Sequence, residues 1–539
     1  MNPINIYKDI CDFSPSPEQI EVFDALSNWS ASQYPLLLRL PCGYGKTESV
    51  VIPFLAQAIT NKWSLAPRLI YVLPTRALCN QIRDRISGYA RKINGETITV
   101  GIEHGTASLD PLFFSDICIT TFDQFLYGYA RNKAQVGRHV DVPTGAFANS
   151  VIVFDEAHLY SPYTHALMKA MLDILCHSNV PVVVMTATMP KSLQNDLMSG
   201  LNPKTIEFQG NFLTKRDISW EMKEWMLLKD DKPSEELRSI LNEWSHKRVL
   251  IVANRVDVAQ RLAVGLKDHG VVLIHSRFSV QDRAVKEKAV VDSMGKASDT
   301  KSSLVISTQV CEVGLDISCD LLITECASAD ALIQRVGRVA RWGGKGEVIV
   351  VNPEKSVPYV DKKLGDDGNF VSISKKHLGD NPHLDLTSWK DTETFCNQMK
   401  YRVDYVEARN AMGQVFDATL YADSIPYNLS ARDEMYCTLF VTTKEGGAKI
   451  PYAEVKNSCF NVPFFWLRKC WSKEDTGKKI GLKIAPYDFR EQKIGDFSVQ
   501  NQPKAFAIYA IQEKDKHYNP DTGFKPQIQI DDEEACLIC

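Results

Sequence analysis

The sequence predicts an α/β protein: two tandem parallel-sheet domains followed by a domain of mixed structure. Three observations carry this. Short β-branched runs alternate with longer helical patterns up to Pro353. The runs are apolar throughout, as expected of strands buried on both faces of a parallel sheet. After Pro353 the alternation stops. A chain of 539 residues is also too long for one core.

The first series of strands is expected at Leu36–Leu40, Leu69–Leu73, Ile98–Ile102, Ile117–Thr120, Val151–Phe154 and Val182–Thr186. The second is expected at Val249–Ala253, Val271–His275, Leu304–Ser307, Leu321–Thr324 and Val348–Val351. Two such series imply two α/β domains, placed at 1–212 and 213–352. The charged stretch Glu224–Glu236 is expected near their junction. Residues 354–385 are rich in Lys, Asp and Gly and read as irregular, so 353–400 is taken as a linker and 401–539 as an accessory domain.

Apolar content of 44% and charged content of 24% are ordinary for a globular protein. A net charge of −4 excludes a strongly basic footprint, so any nucleic-acid contact must come from local patches. No stretch reaches the length of a membrane span, and Met1-Asn2-Pro3-Ile4-Asn5 opens no secretory signal. A cytoplasmic location is expected. The 14 cysteines lie scattered in apolar segments and are expected as reduced thiols. Cys536 and Cys539 form a close pair, but no second pair completes a four-ligand zinc site.

Two segments carry the chemistry. Leu40-Pro41-Cys42-Gly43-Tyr44-Gly45-Lys46-Thr47 follows the first strand. Gly43 and Gly45 let backbone amides turn toward a phosphate, and the next helix offers its N-terminus to the anion. Lys46 can neutralise β- and γ-phosphate charge, and the Thr47 hydroxyl can complete a Mg²⁺ shell. Asp155-Glu156-Ala157-His158 ends the strand Val151–Phe154. Asp155 is expected to hold Mg²⁺ through water, and Glu156 to orient or deprotonate the attacking water. Gln334-Arg335-Val336-Gly337-Arg338-Val339-Ala340-Arg341 offers arginines to the same phosphates. Taken alone, each has a plain alternative: an ordinary glycine turn for the first segment and a surface acidic pair for the second. Pro74-Thr75-Arg76, Thr120-Thr121-Phe122, Thr186-Ala187-Thr188 and Thr308-Gln309…Gly314-Leu315-Asp316 then follow their strands in the order an NTP-driven machine needs.

On these residues the chain resembles the superfamily-two helicases with a DEAH-type second motif. Within them it is similar to the helicase of type I CRISPR systems. That likeness rests on His275-Ser276-Arg277-Phe278 with Asp282-Arg283, and on the block from Thr308 through Asp320-Leu321-Leu322-Ile323-Thr324-Glu325 to Arg338. The resemblance implies two RecA-like domains that clamp ATP. It makes Gln19 the candidate adenine reader. Thr75, Arg76, Thr121, Thr308 and Gln309 would touch the single-strand backbone. His158, Thr186 and Thr188 would couple hydrolysis to strand movement. Asp316, Gln334, Arg338 and Arg341 would face the nucleotide, the arginines as fingers. Members of the family move 3′ to 5′ on single-stranded DNA.

The family's usual member also carries a metal nuclease built around a His-Asp dipeptide. None of the 11 histidines here is followed by Asp. The expectation is therefore a helicase-only form whose nuclease sits on another polypeptide of a CRISPR effector complex. Cys42 stands in the loop where the family usually has Thr. His104 and His165 are expected as structural histidines.

Between Lys456 and Lys493 nine Lys or Arg face four Asp or Glu, interleaved with Phe460, Phe464, Phe465, Trp466, Trp471, Tyr487 and Phe489. This is either a strand-binding patch or a small core with a basic face. Three readings stay open. The leading one is an ATP-dependent single-stranded DNA translocase of CRISPR interference. The others are a helicase of repair, restriction or RNA remodelling, and an ATP-gated clamp that does not unwind.

Overall fold

The computed structural model describes residues 2–29, 35–41, 43–93, 98–105, 107–131, 133, 136, 139–210, 216–403, 405–406, 408, 410, 436–472, 474–475, 478–479, 482–504 and 507–525. At 362–363, 469–472, 474–475 and 478–479 it gives the backbone alone. The chain falls into two compact units, Met1–Phe212 with Lys400–Asp433, and Leu213–Met399 with Glu434–Cys539.

In the first unit the strands are β1 (Leu36–Arg39), β2 (Arg68–Leu73), β3 (Val100–His104), β4 (Ala107–Ser108), β5 (Ile117–Thr121), β6 (Ser150–Phe154), β7 (Val182–Thr186) and β8 (Lys204–Glu207). They form one sheet in the order β4-β3-β5-β2-β6-β7-β1-β8. Only the β3–β4 pairing is antiparallel. Every residue of β1, β5, β6 and β7 is buried. Leu37, Ile70, Val72, Ile152, Phe154 and Val184 pack on one face against Phe125, Leu167, Met171 and Leu175. Tyr401, Val403 and Tyr405 rest on the same core. Because the strands run parallel, their following loops emerge at one edge. The register Arg39↔Thr186 and Phe154↔Val184 sets the loops after β1, β6 and β7 side by side.

The second unit opens with β9 (Arg216–Met226) and the ribbon β10 (Leu228–Lys229) and β11 (Lys232–Pro233). Its parallel sheet adds β12 (Arg248–Val252), β13 (Val272–Ile274), β14 (Ser303–Ser307), β15 (Leu321–Glu325) and β16 (Gly344–Asn352), in the order β13-β14-β12-β15-β16-β9. A mixed sheet follows, built from β17 (Tyr436–Thr442) and β18 (Cys459–Pro463). After the ribbon β19 (Glu474–Asp475) and β20 (Lys478–Lys479) it gains β21 (Ala485–Asp488), β22 (Lys493–Ile494) and β23 (Ile508–Gln512). The hairpin β24 (Tyr518–Asn519) and β25 (Gly523–Phe524) closes the described chain.

All eleven expected strands are present, with ends shifted by two residues at most except at β16, which begins four residues before the expected Val348. The long edge strand β9 was not expected, and it takes in the start of the charged stretch assigned to a junction. Its side chains alternate between half-buried and exposed, which is the period of a one-faced strand rather than of an apolar run. The stretch read as irregular contains the helix Phe370–Asp380. Asn369 caps it by accepting from the Ser372 amide, and Phe370, Val371, Ser374 and Leu378 form its buried face. Lys375-Lys376 hid that spacing. The cysteines whose side chains are described are free thiols. Among the described residues no helix is long and apolar enough to cross a membrane.

The β24–β25 hairpin is seated on the segment after β13. The Phe524 amide donates to the Arg277 carbonyl at 2.9 Å. Gln260 Nε2 donates to the carbonyls of Thr522 (2.6 Å) and Phe524 (3.1 Å). His275 accepts from the Arg277 amide at Nδ1, so Nε2 carries the proton and donates to the Thr522 carbonyl at 3.0 Å. Burial, with Arg277 nearby, holds this imidazole neutral with its pKa lowered to about 3. Gly523 has φ +73°, and a Cβ there would lie 2.5 Å from His275 Cε1 and 2.9 Å from the Arg277 oxygen. Gly523→Ala is therefore expected to destabilise this unit by ~2 kcal/mol, from backbone strain plus the clash. Thermal unfolding should show a lower midpoint and limited proteolysis should release the C-terminal segment sooner; an unchanged midpoint would mean that the hairpin is not seated as described.

Candidate active site

The helix Lys46–Thr60 begins directly after Gly45, whose φ of +84° is open to glycine but costly for other residues. No side chain among the described residues caps this helix, and a helix N-terminus suits an anion. Gly43 turns the loop with φ +82°. Gln19 lies behind it, on the helix Pro17–Ser27. Its Oε1 accepts from the Ser16 amide at 2.9 Å, and its Nε2 donates to the carbonyls of Tyr44 and Gly45 at 3.4 and 3.2 Å. Both ends of the amide are thus engaged, and Gln19 braces the loop. Tyr44 donates to Glu18 Oε2 at 2.7 Å.

Lys46, Thr47 and Asp155 are all buried. Lys46 Nζ lies 3.5 Å from Glu156 Oε1 and 3.5 Å from the Leu40 carbonyl. Glu156 takes a left-handed backbone, φ +50°, a strained choice for a side chain of this size. The turn brings its amide 2.8 Å from Asp155 Oδ1, to which it donates. The other carboxylate oxygen accepts from the Tyr71 hydroxyl at 2.7 Å, and that hydroxyl lies 3.3 Å from Thr47 Oγ1. Burial raises the Asp155 pKa, and Glu156 adds to it, while Lys46 and the Tyr71 bond pull it back. His158 sits between two groups, its Nδ1 3.1 Å from Thr186 Oγ1 and 3.5 Å from Glu156 Oε2. The imidazole thus stands between the acidic turn after β6 and the last residue of β7.

The other residues singled out in this unit stand at the ends of neighbouring strands. Thr75 Oγ1 accepts from the Leu78 amide and caps the helix Arg76–Ala90. Arg76 lies against Gly105, where a Cβ would meet its guanidinium at 2.7 Å. The hydroxyls of Thr121 and Thr188 are buried with no hydrogen-bond partner among the described residues. His104 accepts from the Ala107 amide at Nδ1 and donates from Nε2 to Asn80 Oδ1, a structural role as expected. His165 is buried and its pKa is lowered to about 4 by burial. Cys42, the terminal pair Cys536 and Cys539, and the Trp471 side chain lie outside the described residues.

In the second unit a buried arginine gathers the motifs. Arg335 donates from Nε to Glu312 Oε1 at 2.8 Å. Its Nη1 reaches Asn254 Oδ1, Thr324 Oγ1 and the Glu325 carbonyl, and its Nη2 reaches the Tyr359 hydroxyl. Gln309 Nε2 donates to the Asn254 carbonyl at 2.7 Å, and Thr308 is buried beside it. Arg338 donates to the carbonyls of Cys311 and Glu312, which fixes the short turn after β14. Arg341 pairs with Asp316 at 2.8 Å, both partly exposed. Gln334 is buried on the helix Ala329–Val336. The sequence offered Arg335 to the phosphates with the rest of its segment, whereas it is fully buried on protein partners, and it gave no role to Asn254, Glu312, Glu325, Tyr359 or Tyr71. Arg335 was visible only as one letter of its motif, and nothing local marks Tyr359.

The aromatic patch resolves largely toward the plain alternative. Phe460, Trp466 and Tyr487 are buried in the cores of the mixed sheet. Arg277 lies over the Trp466 ring at 4.5 Å. Phe465 and Phe489 alone in this set are well exposed among the described side chains.

A family model described as DEAD/DEAH box helicase matches residues 16–196. With two parallel sheets and these motifs at their carboxyl edges, the chain is similar, by class, to the superfamily-two helicases. A second family model, CRISPR-associated nuclease/helicase Cas3, C-terminal, matches residues 245–343. The CRISPR-associated helicase Cas3 of Thermoproteus tenax is 28% identical over 442 residues, covering 77% of this chain and 74% of that one. Other curated relatives described as nuclease/helicase Cas3 are matched over 54% of their length or less, so the chain spans about half of them at most. The crystal structure of T. fusca Cas3-ADP has a similar fold, with TM-score 0.70 at 17% identity over 98% of this chain and 70% of that one. A chain of a CRISPR RNA-guided surveillance complex, pre-nicking, gives 0.61 at 17% identity over 94% and 70%. Within that class the similarity is to the Cas3-type helicases.

The arginine hub generates a pH dependence. Glu325 is buried, accepts from the Asn254 amide at 2.6 Å, and has its pKa raised to about 7 by burial, against the pull of that bond and of Arg335. A carboxyl whose folded pKa exceeds its unfolded value holds its proton longer in the folded state. Stability therefore falls as pH rises from the unfolded value of 4.5 through 7, and is flat above. Glu325→Gln removes that loss and keeps an oxygen for Asn254. Its stability relative to the parent chain should grow between pH 5 and pH 7 in parallel melts; a pH-independent difference would contradict the raised pKa.

Proposed function

We propose that this protein is an ATP-dependent translocase on single-stranded DNA that moves 3′ to 5′ and serves a type I CRISPR effector complex. The observation that carries the reading is the cluster of buried Lys46, Thr47 and Asp155 with half-buried Glu156, beside which His158 reaches Thr186. A lysine at the start of a helix suits a triphosphate. The Thr47 hydroxyl and the Asp155 carboxylate are hard oxygen donors gathered by one phenol, which suits Mg²⁺. When bound, that ion would neutralise phosphate charge. Glu156 would hold the attacking water and accept its proton. Gln19 remains the candidate base reader, and Asp316, Gln334, Arg338 and Arg341 the candidate partners of the nucleotide. Thr75, Arg76, Thr121, Thr308 and Gln309 would follow the strand, and Thr188 would act with Thr186.

The CRISPR role is supported by the Cas3-type relatives and by the fold shared with a chain of a surveillance complex. The proposal includes a nuclease carried on a separate polypeptide.

Strand displacement tests the reading. DNA duplexes with a 3′ or a 5′ single-stranded tail, and matching RNA duplexes, would be mixed with the protein and Mg-ATP, with and without effector complex loaded on target DNA. ATP-dependent unwinding of the 3′-tailed DNA is expected. Unwinding of RNA alone would favour another pathway. ATP-dependent retention without unwinding, even with the effector present, would favour a clamp.

A further inference from the structure

Tyr71 has no place among the motifs, yet it touches two of them. It lies in the middle of the sheet, on β2, fully buried between β5 and β6. Tyr71 pairs with Val153 across the β2–β6 ladder. Asp155 stands two residues further along that strand line, on the same face. Two residues of strand span about 6.6 Å, roughly the reach of a tyrosine from backbone to hydroxyl. The phenol therefore runs along the sheet to the carboxylate. A buried tyrosine needs a hydrogen-bond partner, and here the partner is Asp155 Oδ2 at 2.7 Å, with Thr47 Oγ1 at 3.3 Å from the same oxygen.

The consequence is geometric. Asp155 Oδ1 is held by the Glu156 amide and Oδ2 by Tyr71, so the carboxylate has one orientation. Thr47 is held to the same phenol, so the hydroxyl from the phosphate loop and the carboxylate after β6 keep a fixed separation. No other side chain is recorded bridging these two groups among the described residues. On the reading given under the proposed function, they are the protein's donors to the nucleotide's divalent ion.

We propose that Tyr71 is a positioning residue for that ion: it sets the spacing of Thr47 and Asp155 and so determines how tightly Mg²⁺ is held beside the nucleotide. Its hydroxyl meets two protein groups, Asp155 Oδ2 and Thr47 Oγ1. Its effect should appear in the affinity for the ion and not in the phosphate loop's own grip on a nucleotide.

The test is binding of a fluorescent ADP analogue to the whole protein, titrated with Mg²⁺ and repeated in EDTA, for the parent chain, Tyr71→Phe, Asp155→Asn and the double variant. Tyr71→Phe removes one oxygen and keeps the ring. It should weaken the apparent Mg²⁺ affinity about 5- to 30-fold, the size of a lost hydrogen bond to a charged group. Binding in EDTA should stay unchanged. In the Asp155→Asn background the same substitution should do little more, because it acts through that carboxylate. Mn²⁺ binding followed by electron paramagnetic resonance gives a second readout without turnover. Equal Mg²⁺ affinity in Tyr71→Phe and the parent chain would overturn the proposal while leaving the site's assignment standing. Equal losses with Mg²⁺ and in EDTA would make Tyr71 a packing residue and also overturn it. A parent chain with no Mg²⁺-dependent nucleotide binding would overturn both the proposal and the reading beneath it.

Discussion

The first unit is organised around a charge cluster kept out of water at the mouth of a parallel sheet. Asp155, Lys46 and Thr47 are buried, and Glu156 is held over them by a strained turn. A buried carboxylate is costly unless it is paired and hydrogen-bonded. For Asp155 the Glu156 amide and the Tyr71 hydroxyl supply the hydrogen bonds, and the charge of Lys46 acts in the same direction. The sheet order follows from the same requirement. Placing β6 between β2 and β7, with β1 next to β7, brings the tyrosine, the acidic turn, the threonine pair and the phosphate loop to one edge.

The second unit solves a related problem with the opposite charge. Arg335 is fully buried, and its donors are spread over Glu312, Asn254, Thr324, the Glu325 carbonyl and Tyr359. The segments after β12, β14 and β15 and the loop carrying Tyr359 therefore share one anchor. Arg338 then fixes the turn after β14 through two carbonyls, and Gln309 is tied back to Asn254. Residues read from the sequence as contacts to ligands thus also hold one another in place. The hairpin at Tyr518–Phe524 adds a further constraint from the mixed sheet, gripping the segment that follows β13.

The sequence was most legible where burial is two-sided. Strands such as Val182–Thr186 are apolar at each position and could be read directly, and the glycines of the phosphate loop and the Asp155-Glu156 pair stood out against them. β9 was missed because an edge strand shows one face to solvent, so its charges looked like a junction. The helix Phe370–Asp380 was missed because two lysines interrupt its buried stripe. The long-range partners were invisible for a different reason. Tyr71 reads as one more apolar strand residue, and only the β2–β6 register reveals that its hydroxyl meets Asp155. The patch around Phe460 and Trp466 looked like a binding surface because composition cannot distinguish a stacking platform from a small aromatic core.

The central claim is that the buried Lys46–Asp155–Glu156 cluster hydrolyses ATP under the control of single-stranded DNA. Steady-state ATP hydrolysis with and without single-stranded DNA, beside a Lys46→Ala control, tests it most directly. The account predicts strong stimulation by DNA that vanishes in the control. Hydrolysis that persists in Lys46→Ala, or that single-stranded DNA leaves unchanged even when the effector complex is supplied, would contradict it.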